Sequence, residues 1–126
     1  MPSILLLEDN ADMLTLLSQV LEWGGHEVIA GRNGTEGLTL LSEVEAAPGL
    51  IICDMLMPGM DGTVFLEHIR SNPAWSDIPF VMMSARSTDE ERQGALMLGA
   101  NGFLPKPFSL DDFNALLDHW GFTVDT

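Results

Sequence analysis

The 126-residue chain has little positive charge and almost no thiol, and each shortage closes off a class of function. Its single cysteine, Cys53, excludes an intramolecular disulfide and any metal site built from several thiolates. Five basic residues (Arg32, Arg70, Arg86, Arg92 and Lys106) face 19 acidic ones, for a formal net charge of −14. Such a field repels phosphate backbones and anionic headgroups, so direct binding to nucleic acid or membrane is not expected. It attracts cations instead. No apolar run approaches the length of a membrane span, and the opening Met1-Pro2-Ser3-Ile4 lacks the basic start of a secretory leader. A soluble cytoplasmic protein is the expectation. Seven scattered prolines and 46% hydrophobic residues exclude a disordered tail, a collagen-like repeat and a low-complexity linker.

What remains is a chain of single-domain size, able to bury roughly two-thirds of its unfolded surface. Ile4 to Leu7 is an apolar run that suits a strand buried on both faces, and it stops at Glu8-Asp9-Asn10. Asp9 or Asn10 can cap the following helix. That helix sets Met13, Leu17, Val20 and Leu21 against Asp12, Thr15, Ser18, Gln19 and Glu22, and Gly24-Gly25 ends it. His26 to Ala30 reads as a second strand. Asn33-Gly34 opens a helix with Leu38, Leu41 and Val44 on its apolar face, stopped by Pro48-Gly49.

Leu50 to Cys53 is a third strand, ended by Asp54 and followed by the loop Met57-Pro58-Gly59-Met60-Asp61-Gly62. A helix over 63–70 precedes Asn72-Pro73. Pro79 to Met83 is a fourth strand, ending at Ser84-Ala85, and 88–98 is helical up to Gly99. Gly102 to Leu104 is a short fifth strand before Pro105-Lys106-Pro107. A last helix, capped by Ser109, turns Leu110, Phe113, Leu117 and Trp120 inward. Five strands alternating with five helices predict one domain over 1–126, a parallel sheet with helices on both faces.

In open α/β sheets, ligands sit beyond the carboxyl ends of the strands. Those ends here carry Glu8 and Asp9, Asp54, Ser84 and the only lysine, Lys106. Three close carboxylates repel one another in a partly desolvated cleft and persist more readily around a cation. Oxygen ligands with room for water suit Mg²⁺ or Mn²⁺.

Four stretches then carry a family likeness. Leu5-Leu6-Leu7-Glu8-Asp9-Asn10 resembles the opening of response-regulator receiver domains of two-component signalling. Asp54 to Gly62 resembles their phosphoacceptor segment, D-x-x-M-P-x-M-D-G. Ser84-Ala85 resembles the hydroxyl-small pair, and Gly99-Ala100 with Lys106-Pro107-Phe108 the terminal G-A…K-P-F signature. The resemblance spans residues 3 to about 120 and implies the (βα)5, flavodoxin-like doubly wound receiver fold. It also implies that Asp54 accepts a phosphoryl group from the phosphohistidine of a histidine kinase or histidine phosphotransfer protein. Mg²⁺ would be held by Asp9, Asp54 and the Leu56 carbonyl, with Glu8 acting through water. Lys106 would pair with phosphoryl oxygens and the Ser84 hydroxyl would bond to one. The Lys106–Pro107 peptide would be cis, and Ser84 and Phe103 would form the switch that alters a protein-binding face for a downstream target.

Several positions depart from the common pattern. Phe103 stands where many relatives carry tyrosine, Glu8 where aspartate is common, and Asn101-Gly102 where an acidic pair is frequent. Asp89, Glu90, Glu91, Asp111, Asp112 and Asp118 against Arg92 alone oppose dimerisation through the last two helices, so a monomer or weak dimer is expected. With no residues after Thr126 in the sequence, no output domain is expected. Leucine at position 56, where aspartyl-phosphate phosphohydrolases carry a general-acid aspartate, opposes turnover on external esters, so no enzyme is expected. A pseudo-receiver acting without phosphorylation is the alternative, opposed by the retained acceptor, acidic pair and lysine. Gly31 to Gly37 lacks the G-x-G-x-x-G spacing and follows the second strand, so it reads as a helix start. His26, His68 and His119 have no partner at metal spacing, although His68 can line a groove. Cys53 reads as an inert core thiol and Met57 as packing, with Met55 and Met60 open between packing and docking.

Overall fold

The computed structural model describes residues 3–86 and 88–122. Strands β1 (Ile4–Leu7), β2 (Val28–Gly31), β3 (Leu50–Asp54), β4 (Phe80–Ser84) and β5 (Gly102–Pro105) alternate with helices α1 (Ala11–Trp23), α2 (Gly34–Glu43), α3 (Gly62–Ser71), α4 (Asp89–Met97) and α5 (Leu110–His119). The strands pair in parallel in the order β2-β1-β3-β4-β5. The order reverses between β1 and β3, which opens a crevice at their carboxyl ends.

Strand alternation divides the core between the two faces of the sheet. Leu5, Leu7, Ile51, Cys53, Phe80 and Met82 pack with Leu41, Phe65, Leu66, Ile69 and Ala95 from α2, α3 and α4. Ile4, Leu6, Leu50, Ile52, Val81 and Met83 pack with Leu17, Val20, Leu21, Phe113 and Leu117 from α1 and α5. The central strands are buried on both faces, which is why they read as unbroken apolar runs.

Each helix starts with a capping side chain that accepts backbone N–H groups: Asn10, Asn33, Asp61, Thr88 and Ser109. Ser109 and Asp112 form a reciprocal capping box. Gly25 and Gly99 follow the ends of α1 and α4 with φ of 86° and 111°, a region that glycine enters without a Cβ clash. Among the described residues, no helix is long and apolar enough to cross a membrane.

Three details depart from the sequence expectations. The second strand begins at Val28 rather than His26, because His26 still donates to Leu21 at the end of α1 and Val28 is the first residue in register with Ile4. Helix α2 stops at Glu43, with Val44 already extended. The chain must turn back toward the start of β1, where the Gly49 N–H donates to the Ser3 carbonyl at 2.8 Å. Leu110, the first residue of α5, is 47% exposed rather than inward-facing.

Candidate functional site

The carboxyl ends of β1 and β3 are adjacent, with Leu7 in register with Cys53, so the next residues on each strand meet. Carboxylate oxygens of Glu8, Asp9 and Asp54 lie within 4.8 Å of one another. Glu8 is fully buried, Asp54 nearly so, and Asp9 exposed. Lys106, just past β5, reaches back to both buried groups: its Nζ lies 2.5 Å from Glu8 Oε1 and 3.2 Å from Asp54 Oδ2. The Lys106 backbone N–H donates to the Ser84 carbonyl at 2.8 Å, which fixes the loop that delivers the ammonium. The Lys106–Pro107 peptide is cis, as the family resemblance implies.

The loop after β3 turns sharply back on the strand. The Gly62 N–H donates to the Met55 carbonyl at 2.8 Å, and Asp61 caps α3 through the Thr63 and Val64 N–H groups. A Cβ at Gly62 would lie 2.4 Å from the Asp54 carbonyl oxygen, so only glycine lets α3 start this close to the acidic strand end. Met55 and Met57 are buried, and Met60 packs against Gly34. All three methionines are packing residues. The Leu56 side chain is exposed, and its carbonyl accepts no backbone hydrogen bond from a described residue.

Burial, then the hydrogen bond and charge of Glu8, push the Asp54 carboxyl up to about 7, and Lys106 offsets only part of this. Glu8 moves the other way. Burial raises it, but bonds from Asp54, Lys106 and the Asn10 N–H outweigh that and hold it below the usual carboxylate range. Burial would lower Lys106, yet Glu8 and Asp54 together raise it. Near neutrality and without a cation, Glu8 therefore stays ionised against the ammonium while the raised Asp54 carboxyl is partly protonated. Oxygen donors of a single charge sign with an open, solvent-facing member fit a hard divalent cation.

The sequence-derived residues divide into two groups. Glu8, Asp9, Asp54 and Lys106 come together in one cluster. Ser84 ends the neighbouring strand, fully buried, with its Oγ accepting the Arg86 N–H at 2.9 Å. Phe103 lies within β5, half-buried on the α4 side of the sheet. With Asp89, Arg92 and Pro105 it lines a cavity of about 270 Å³. A recess of about 340 Å³, lined by Glu8, Asn10, Asp12, Met13, Leu16 and Lys106, opens beside the acidic cluster. His68 lines a separate groove with Trp75 and Pro73, remote from this chemistry.

Residues 4–118 match the family model of the response regulator receiver domain. The chain belongs to that family. It is 38% identical over 109 residues to the CpxR-homologue transcriptional regulatory protein of Haemophilus influenzae, covering 86% of this chain and 45% of that protein. To the phosphate regulon regulatory protein PhoB of Escherichia coli it is 34% identical over 106 residues, covering 84% and 45%. The receiver thus spans less than half the length of these curated relatives. Among solved structures, the chemotaxis protein CheY4 of Vibrio cholerae superposes with a TM-score of 0.87 at 27% identity, covering 94% of this chain and 98% of that one. The non-phosphorylated HemR receiver domain of Leptospira biflexa gives 0.86 at 28%, covering 100% and 98%. The five-stranded parallel sheet is the CheY-like receiver fold, and the family is one of signalling domains.

Proposed function

We propose that this receiver accepts a phosphoryl group on Asp54 from the phosphohistidine of a histidine kinase or histidine phosphotransfer protein. An Asp54 carboxylate oxygen attacks phosphorus, the P–N bond to the imidazole breaks, and an acyl phosphate forms while the freed nitrogen keeps the electron pair. Asp9, Asp54 and the Leu56 carbonyl would hold Mg²⁺, or Mn²⁺, with Glu8 acting through water. Such an ion, when bound, neutralises phosphoryl charge and helps to ionise Asp54. Lys106 keeps its ammonium beside the acceptor and exchanges a carboxylate partner for a phosphoryl oxygen as charge arrives.

The observation that carries this reading is the bridging ammonium: the only lysine in the chain contacts the acceptor and its buried carboxylate neighbour together. A pseudo-receiver would have no use for that arrangement. Leucine at position 56 leaves no general acid for turnover on external esters, which supports a phosphoacceptor signalling domain rather than a hydrolase. Signalling then passes from Ser84 to Phe103 and the face built from α4, β5 and α5. Asp89, Glu90, Asp111, Asp112 and Asp118 are exposed there, so the downstream protein would present a basic surface. Intact mass after treatment with a small phosphodonor and Mg²⁺ should show one added phosphoryl group, lost in Asp54→Asn. Equal labelling of that variant would refute the assignment.

A further inference from the structure

Arg70, in the last turn of α3, is the one arginine withdrawn from solvent among the described residues. Its guanidinium donates to the Gly99 carbonyl through Nε (3.0 Å) and Nη2 (2.9 Å). It also donates to the carbonyls of Ser76 (3.1 Å) and Ile78 (2.8 Å) and to Asn101 Oδ1 (2.8 Å). Asn101 completes the node: its Oδ1 accepts the Phe80 N–H at 2.8 Å, and its own N–H donates to the Phe80 carbonyl at 2.7 Å. Arg70 thus joins α3 to the loop before β4 and to the turn between α4 and β5, and Asn101 ties that turn to Phe80, the first residue of β4. The guanidinium makes five hydrogen bonds to four acceptors in one fixed plane, more than the three donors of an ammonium can supply. Gly99 belongs to the same design, because a Cβ there would lie 3.1 Å from Arg70 Nε.

Helix α4 is otherwise loosely held. Ala95 is its only buried residue, Met97 is 86% exposed, and its first turn is the acidic run Asp89-Glu90-Glu91. The end beside Ser84 is secured within the helix by the Thr88 cap, which accepts the Glu91 N–H at 3.2 Å.

We propose that Arg70 is a positioning residue that, with Asn101, fixes the pivot of α4. The Gly99 end of the helix and the amino ends of β4 and β5 stay rigidly joined to α3, whereas the Thr88 end, adjoining the switch serine, is free to swing. Displacement starting at Ser84 is then greatest near Thr88–Arg92 and vanishes at Gly99–Asn101. This assigns a direction to the response in the proposed receiver function, but the asymmetry itself is a property of the unmodified chain and is tested there.

The test is residue-resolved amide exchange on the full chain without metal or phosphodonor. Amides 92–96 should exchange at least about tenfold faster than amides 99–101; equal or reversed rates overturn the pivot. Arg70→Lys should bring amides 99–101 to the rate of α4 while those of Leu5–Leu7 and Ile51–Cys53 keep wild-type rates. Unchanged rates at 99–101, or equal acceleration of the strands, overturn it as well. Asn101→Asp, which keeps the acceptor oxygen, should preserve slow exchange that Asn101→Ala loses, and equal loss in both refutes the role given to that oxygen. A failure of Asp54 to take a phosphoryl group would leave these rates untouched and count against the receiver function alone.

Discussion

Neutralising Asp54 should stabilise the metal-free protein, and the gain should depend on pH in a defined way. The Asp54 carboxyl moves from 3.8 to about 7 on folding, about 3 units, through burial first and the neighbouring Glu8 second. At roughly 1.36 kcal/mol per unit, the ceiling is about 4 kcal/mol. A carboxyl that binds its proton more tightly in the folded chain favours folding at low pH. That contribution declines as pH rises past the unfolded value and is gone once pH exceeds about 7. Glu8, held below its ordinary value, acts in the opposite sense and only in the acidic range, so Asp54 governs the window from about pH 5 to about pH 8. Asp54→Asn is nearly isosteric with the protonated form and leaves Glu8 its 2.5 Å contact with Lys106. It forfeits the longer Lys106 contact, so we expect a net gain of about 2 kcal/mol at about pH 8, or roughly 6–10 °C in Tm. The gain should shrink as the pH is lowered. Urea denaturation of both proteins with a chelator across that range measures it. A difference that does not change with pH, or a variant less stable than wild type at about pH 8, would refute the electrostatic account.

Other outcomes follow from the same geometry. Mg²⁺ at about ten times its dissociation constant should raise stability by about 1.4 kcal/mol, and Asp9→Ala should blunt that response; a wild-type Tm indifferent to Mg²⁺ in thermal melts contradicts the cation site. Gly62→Ala should cost about 1–3 kcal/mol in chemical denaturation, because its Cβ meets strand backbone; a neutral result would show that the loop yields freely. Ser84→Ala should leave Asp54 phosphorylatable while removing the change in amide protection over residues 84–106 that the phosphoryl mimic beryllofluoride causes in wild type. An undiminished change in the variant means that the hydroxyl carries no signal.

The parts of the fold that could be read in the sequence are those enforced locally. Unbroken apolar runs such as Leu50 to Cys53 belong to strands covered on both faces, and Asn10, Thr88 and Ser109 cap helices where short polar side chains follow strand ends. The acidic cluster and Lys106 were legible because parallel strands bring their carboxyl ends to one rim whatever the details of packing. What was not legible depends on partners distant in sequence. Nothing near Arg70 announces that its acceptors Gly99 and Asn101 lie 29 and 31 residues away. Glu8 reads as a metal-side residue, and only the folded chain pairs it so closely with Lys106, 98 residues on. Val44 and Leu110 fit helical spacing but lie where the chain leaves or enters a helix, and periodicity carries no information about the ends of an element.

In the switch proposed above, phenylalanine at position 103 would change the balance rather than remove it. A tyrosine turned inward must carry its hydroxyl into the space behind Ser84, where an unmatched donor costs about 1–3 kcal/mol, and it regains a partner only by turning out to solvent. Phe103 has no such group, so nothing polar opposes its burial, and the ring already lies half-buried against the α4 side of the core. In the proposed switch the inward state would therefore carry a smaller penalty than with tyrosine, and the Ser84 hydroxyl, which accepts the Arg86 N–H, would be the polar group left to separate the two states. Control would then pass from the aromatic residue to the serine and its loop. That loop leads into α4 at the end opposite the Arg70 node, so under the proposed pivot a change at Ser84 would act on the helix where it is least restrained.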